Sequence, residues 1–171
     1  MRKLSIATAS LALTACITGE PRGGAPVALV NASGQPIGSV RAWQTAGGVT
    51  FRINARGLSH GVHGVHVHAV GKCEPPDFAS AGPHWNPTGK KHGMNNPAGP
   101  HSGDLPNVVV AANGVLGATL VLSAANMSSL IDADGAALVI HAAADDNVTD
   151  PSGNSGARIA CAVLQPVAEM R

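Results

Sequence analysis

Residues 69–106 constrain this chain more than any other stretch. They hold more than half of its 12 prolines and no sustained hydrophobic period. A structureless loop of that length inside a compact domain is uncommon and tends to be functional. Something other than a backbone ladder must organise it. It contains Cys73, His84, His92, His101 and Asp104. These residue types form disulfides and ligate metals, so metal and covalent bonds are expected to replace secondary structure there.

The flanking sequence has the opposite character. Short alternating segments at 27–31, 37–44, 49–55 and 62–68 read as strands, with turns at Ser33-Gly34 and Ala46-Gly47-Gly48. Strands resume at 107–111, 114–122, 136–142 and 157–164, and a second loop runs over 145–156. Residues 124–130 read as a loop or a short helical turn, and no internal repeat is present. Eight short strands predict one all-β domain, an antiparallel sandwich or barrel. With 21 Gly, two Phe, two Trp and no Tyr, the composition also disfavours a helical bundle.

The N-terminus reads as a targeting segment. Arg2 and Lys3 precede the apolar run 4–12, too short to span a bilayer, so residues 1–15 are predicted to be a signal peptide. Leu13-Thr14-Ala15-Cys16 resembles a bacterial lipobox, which would leave Cys16 as the lipidated first residue of the mature chain. The alternative is an ordinary signal peptide with a chance cysteine. Residues 16–26, with Gly19, Pro21, Gly23, Gly24 and Pro26, read as a flexible tether. The formal charge of +1 includes Arg2 and Lys3; without residues 1–15, nine basic and ten acidic side chains remain, near −1. No basic stripe with interleaved aromatics points to nucleic acid. Membrane contact is expected only through a lipid on Cys16.

The run His60-Gly61-Val62-His63-Gly64-Val65-His66-Val67-His68 ends with two imidazoles at i and i+2. On a strand they share a face. Alone, the pair reads equally well as a chance His-rich strand. His84, His92, His101, His141 and Asp104 downstream complete a metal-site signal by ligand type.

Six segments in order resemble the copper–zinc superoxide dismutase family, in its bacterial secreted branch. They are Gly64-Val65-His66-Val67-His68, Ser80-Ala81-Gly82-Pro83-His84-Trp85-Asn86-Pro87, Lys91-His92-Gly93, His101-Ser102-Gly103-Asp104-Leu105, 138–146 around His141 and Asp145, and Gly156-Ala157-Arg158-Ile159-Ala160-Cys161. The resemblance covers residues 27–166, with 167–171 left as a tail. It implies an eight-stranded antiparallel Greek-key sandwich or flattened barrel with two long functional loops; the family is itself a standard example of the sandwich architecture.

The resemblance also implies roles. Copper would be held by His66, His68, His84 and His141, and zinc by His84, His92, His101 and Asp104, one of each metal per subunit. His84 would bridge the two and serve catalysis, and Arg158 would draw superoxide to copper. Asp145 would receive the second N–H groups of His66 and His92. His63 matches a structural histidine, whereas His60 has no counterpart. Cys73 and Cys161 match the family's disulfide, which suits an oxidising compartment. The expected function is dismutation of superoxide to oxygen and peroxide in the periplasm or cell envelope, by a monomer or homodimer. The competing readings are an exported copper-binding or storage lipoprotein without turnover, and a structural envelope lipoprotein with a vestigial site. Two departures stand out. Val65 replaces a common Phe, and the loop after Asp145 carries Asp146 and Asp150 but no Lys. Lys90 and Lys91 are candidates to take over steering.

Overall fold

The computed structural model describes residues 24–123 and 125–164. The expected signal peptide, lipobox and most of the tether, and the expected tail, lie outside the described residues. Eight strands form, β1 Val27–Asn31, β2 Pro36–Thr45, β3 Gly48–Ala55, β4 Gly61–His68, β5 Asp104–Val110, β6 Leu116–Ser123, β7 Ala136–His141 and β8 Arg158–Leu164. Each of the eight predicted segments is a strand. The differences lie at the ends. β5 begins at Asp104, so the first long loop closes earlier than its composition suggests. Residues 124–130 contain one short helix, α1 Met127–Leu130, capped by the Asn126 side chain accepting from Ser128 N. Among the described residues no helix is long and apolar enough to cross a membrane.

The strands make one antiparallel sheet in the order β5-β4-β7-β8-β1-β2-β3-β6. Its edge strands β5 and β6 pack against each other, so the sheet curls into a nearly closed barrel. The crossovers from β3 to β4 and from β6 to β7 give it Greek-key character.

Alternation along the strands sorts the side chains. Leu29, Val40, Phe51, Ile53, Val65, Val67, Leu105, Leu138 and Ile140 fill the interior, all fully buried. Each such residue contributes about 1.5–3 kcal/mol through apolar burial. The opposite parity on β4 and β7 sends His66, His68 and His141 to the outside of the barrel, beneath the long loops. A second, smaller cluster lies there too. Phe78 and Ala81 from the first loop pack on Ala137, Val139 and Cys161. Cys73 and Cys161 are bonded, with Cα atoms 5.7 Å apart and a sequence separation of 88. The first loop is thus pinned to β8 by a covalent bond and an apolar plug, as its lack of periodicity required.

Candidate metal centre

Two clusters of ligand atoms share residues at the outer surface of β4. One is His66, His68, His84 and His141; the other joins His66, His84, His92 and Asp104. All six residues are buried. The first loop supplies His84, which forms an isolated bridge to His68 of β4. The ring centroids of His84 and His66 are 4.0 Å apart, and those of His84 and His68 4.9 Å.

Each imidazole has one nitrogen fixed by the protein. His68 Nδ1 donates to Gly82 O at 2.8 Å, His141 Nδ1 to Gly156 O at 3.1 Å, and His66 Nε2 to Asp145 Oδ2 at 2.6 Å. Such bonds fix tautomer and ring orientation. They leave His66 Nδ1, His68 Nε2 and His141 Nε2 as buried nitrogens with no hydrogen-bond partner among the described residues. An unsatisfied buried polar atom is costly. Three of them in one cluster, each carrying a lone pair, fit a metal that takes nitrogen donors. Burial pushes the His66 imidazole down to about 4 despite its bond to Asp145, and His141 down to about 3. His68 is lowered further, by burial first. All three are therefore neutral at neutral pH, with a lone pair free for a metal.

The second cluster gathers around Asp104. Its Oδ1 lies 3.0 Å from both His84 Nδ1 and His92 Nδ1, while its Oδ2 accepts from the backbone N–H of Gly93 and of His101. His101 Nδ1 completes the group, 3.3 Å from His84 Nδ1 and 3.6 Å from Asp104 Oδ1. Burial opposes the Asp104 charge, but its bonds to His84, His92 and Gly93 hold the carboxyl far below the carboxylate range. His66 also comes within reach of this cluster, though its Nε2 is committed to Asp145. Three imidazoles and one carboxylate suit a closed tetrahedral zinc site.

Asp145 ties the clusters together. Its two oxygens accept from His66 Nε2 and, at 3.1 Å, from His92 Nε2. Burial raises the His92 cost of carrying charge, yet its bonds to Asp104 and Asp145 lift it to about 9 in the metal-free chain. Sequence reasoning missed what holds Asp145. Asn107 on β5 donates from Nδ2 to Asp145 O and accepts the Asp145 N–H on Oδ1. Gly153, at φ 62°, passes so close that a Cβ there would overlap Asp145 Oδ1 and lie 2.7 Å from His92 Nε2.

Arg158 opens β8 and is fixed by two carbonyls, Nη1 donating to Phe78 O and Nη2 to Gly82 O. It lines a cleft of about 950 Å³ together with His68, His84, His141 and Lys90. Lys91 is paired with Asp150 at 2.9 Å. Asp150 also accepts from His92 N, and Asp146 is bonded to Val148, Thr149 and Asn154 of its own loop. His63 is buried and donates to His141 O, a structural role. No bond or ion pair of His60 is recorded among the described residues.

Fold and site together define a histidine-rich double metal centre on the outside of an antiparallel β-barrel. Residues 37–164 match the copper/zinc superoxide dismutase (SODC) family, and the chain belongs to it. It is 40% identical to superoxide dismutase [Cu-Zn] 2 of Aquifex aeolicus, over 96% of this chain and all of that one. Among solved structures it is similar to a SOD-like protein from Bacillus subtilis, at 41% identity and a TM-score of 0.79, covering 83% of this chain and 99% of that one. It is also similar to the Cu/Zn superoxide dismutase of Brucella abortus, at 28% identity and a TM-score of 0.70, covering 82% and 99%.

Proposed function

We infer that the protein dismutates superoxide to oxygen and hydrogen peroxide. His66, His68, His84 and His141 would hold copper, and His84, His92, His101 and Asp104 would hold zinc. The observation that carries this reading is the trio of buried, unpartnered nitrogens on His66, His68 and His141 beside His84, which belongs to both clusters. Copper bound there supplies the one-electron chemistry, oxidising one superoxide and reducing the next. The chain supplies placement and protons. His84 Nδ1 is turned to Asp104, which leaves Nε2 for the copper side, where it can take up a proton and deliver it toward peroxide. Asp104, on His84 Nδ1, would hold the ring in orientation meanwhile. The Arg158 guanidinium, immobilised by Phe78 O and Gly82 O, attracts and orients the anion in the cleft. A protein that only stores copper has no use for an anion-orienting arginine or for a second ligand cluster that would take zinc.

The leader pattern supports export to the periplasm or envelope, with Cys16 carrying lipid, and the disulfide suits that compartment. The test is metal content and superoxide consumption of purified variants. His101→Ala is expected to lose zinc and keep copper. His141→Ala is expected to abolish dismutation with zinc retained. Full activity and full copper in His141→Ala would refute the assignment.

A further inference from the structure

The first loop carries two aromatic side chains, and Phe78 is the fully buried one. Its ring sits on the outside of the barrel with Ala137 and Val139 of β7, Cys161 of β8 and Ala81, and with Val30 and Cys73 packed alongside. Its backbone is at φ 54°, ψ 27°. That left-handed conformation is uncommon for a bulky residue and persists only where the surroundings over-determine it. Glycine would take it without strain. A phenylalanine therefore sits where the backbone alone would favour another residue.

The turn made there aims two carbonyls. Phe78 N donates to Glu74 O, and Ala79 N to Asp77 Oδ1. Phe78 O accepts from Ala81 N at 3.1 Å and from Arg158 Nη1 at 2.6 Å. One turn of 3-10 helix, Ala79–Ala81, then leads to Gly82, whose oxygen accepts from Arg158 Nη2 at 2.8 Å. The two acceptors of the guanidinium stand at the two ends of one short turn. Because the guanidinium is a rigid planar fork, their positions set its plane. The disulfide is remote from this turn. Residues 74–77 separate it from Phe78 and are all exposed, so the phenyl ring is the first buried anchor after Cys73. Arg158 also has somewhere else to go. It lines a second cavity of about 650 Å³, walled by Pro76, Asp77, Ala79 and Ile159. Without its carbonyls the side chain could turn from the copper cleft toward the Asp77 carboxylate.

We propose that Phe78 is a positioning residue for the anion site. Its ring, seated on β7 and β8, fixes the carbonyls of Phe78 and Gly82 and through them the Arg158 guanidinium. This rests on the reading of Arg158 as the group that orients superoxide.

The test is a double-mutant cycle on copper- and zinc-loaded protein, with azide as the anion and the copper absorption band as readout. Arg158→Ala is expected to weaken azide about tenfold, the scale on which a charged cleft concentrates a counter-ion. Phe78→Gly removes the ring without straining the turn and is expected to lose most of the same factor. Combining the two should cost no more than Arg158→Ala alone, because one acts through the other. Phe78→Leu restores an apolar plug and should fall between wild type and Arg158→Ala; it carries the comparison if Phe78→Gly does not fold. Ile53→Ala, a fully buried truncation inside the barrel, should lower the melting temperature and leave azide binding unchanged. Additive losses in the double variant, wild-type affinity in both Phe78 variants, or an equal loss in Ile53→Ala would overturn the positioning role. So would loss of copper from Phe78→Gly, which would assign the ring to His68 through their shared Gly82 oxygen. Unchanged affinity in Arg158→Ala would refute the reading of Arg158 itself, and the proposal with it.

Discussion

At the scale of single residues, the centre is built by spending each imidazole's first nitrogen on the protein and leaving the second free. That arrangement has a measurable signature in the metal-free chain. His66 and His141 are depressed from 6.5 to about 4 and about 3. Between those values and 6.5 the unfolded chain binds protons that the folded chain refuses. Their contribution is complete above 6.5 and lost as pH falls toward 4. His92 has the opposite sign. Raised to about 9, it stabilises fully below 6.5, and that stabilisation is lost as pH rises through 9. The melting temperature of the metal-free protein is therefore expected to peak near pH 6.5 and fall on both sides. In His92→Gln the alkaline decline should flatten. A melting temperature that climbs steadily from pH 6.5 to 9 in the wild type would contradict the Asp104–His92–Asp145 arrangement. The residues that cluster here were legible in the sequence because metal chemistry needs particular side chains. The atoms that orient them were not, since Gly82 O and Gly156 O are backbone carbonyls and any residue has one.

At the scale of elements, the two long loops are held by different means. The first is pinned by the disulfide and by Phe78. Cross-linking over 88 residues is worth about 4–5 kcal/mol in the chain-entropy view. Cys73→Ser, Cys161→Ser and the double variant are expected to lose similar stability, because the residues act as one bond; an additive loss in the double variant would contradict that. The second loop is held by Asn107 on the Asp145 backbone and by the close passage of Gly153. Gly153→Ala is expected to push Asp145 off His66 and His92 and to weaken metal binding by about 10–100-fold, the usual cost of losing a partner behind the ligands. Competition with a chelator would read this, and unchanged affinities would show that the loop yields instead. The strands were legible from their alternation, which a barrel imposes residue by residue. The loops were legible only as exceptions to it. Nothing in their local sequence says that Asn107 meets Asp145 or that Gly153 crosses that carboxylate, since both are contacts between distant segments.

At the scale of the molecule, charge placement decides how fast substrate arrives. The sequence suggested a deficit, because the second loop has acids and no lysine. The structure tempers that expectation. Asp150 is matched by Lys91, and Asp146 is absorbed by its own loop. Arg158 and the exposed Lys90 remain as cations lining the cleft. Steering of this kind is worth a factor of about 10 or more, with superoxide dismutase itself a standard example. Arg158→Glu is expected to cut activity more than Arg158→Ala with both metals bound. Salt should slow the wild type, since screening sets in over about 10 Å at 0.1 M, and should slow Arg158→Glu less or not at all. Identical salt curves for all three proteins would remove Arg158 from the substrate path. The strand order carries a different consequence, one of timing. β1 lies between β2 and β8, and the first loop is fastened to Cys161 on that same β8. A chain emerging from its N-terminus has every metal ligand through Asp104 in hand long before the strand that seals the sheet. The centre therefore cannot close before β8 is in place, and metal captured by a chain that lacks its last strand gains no native frame.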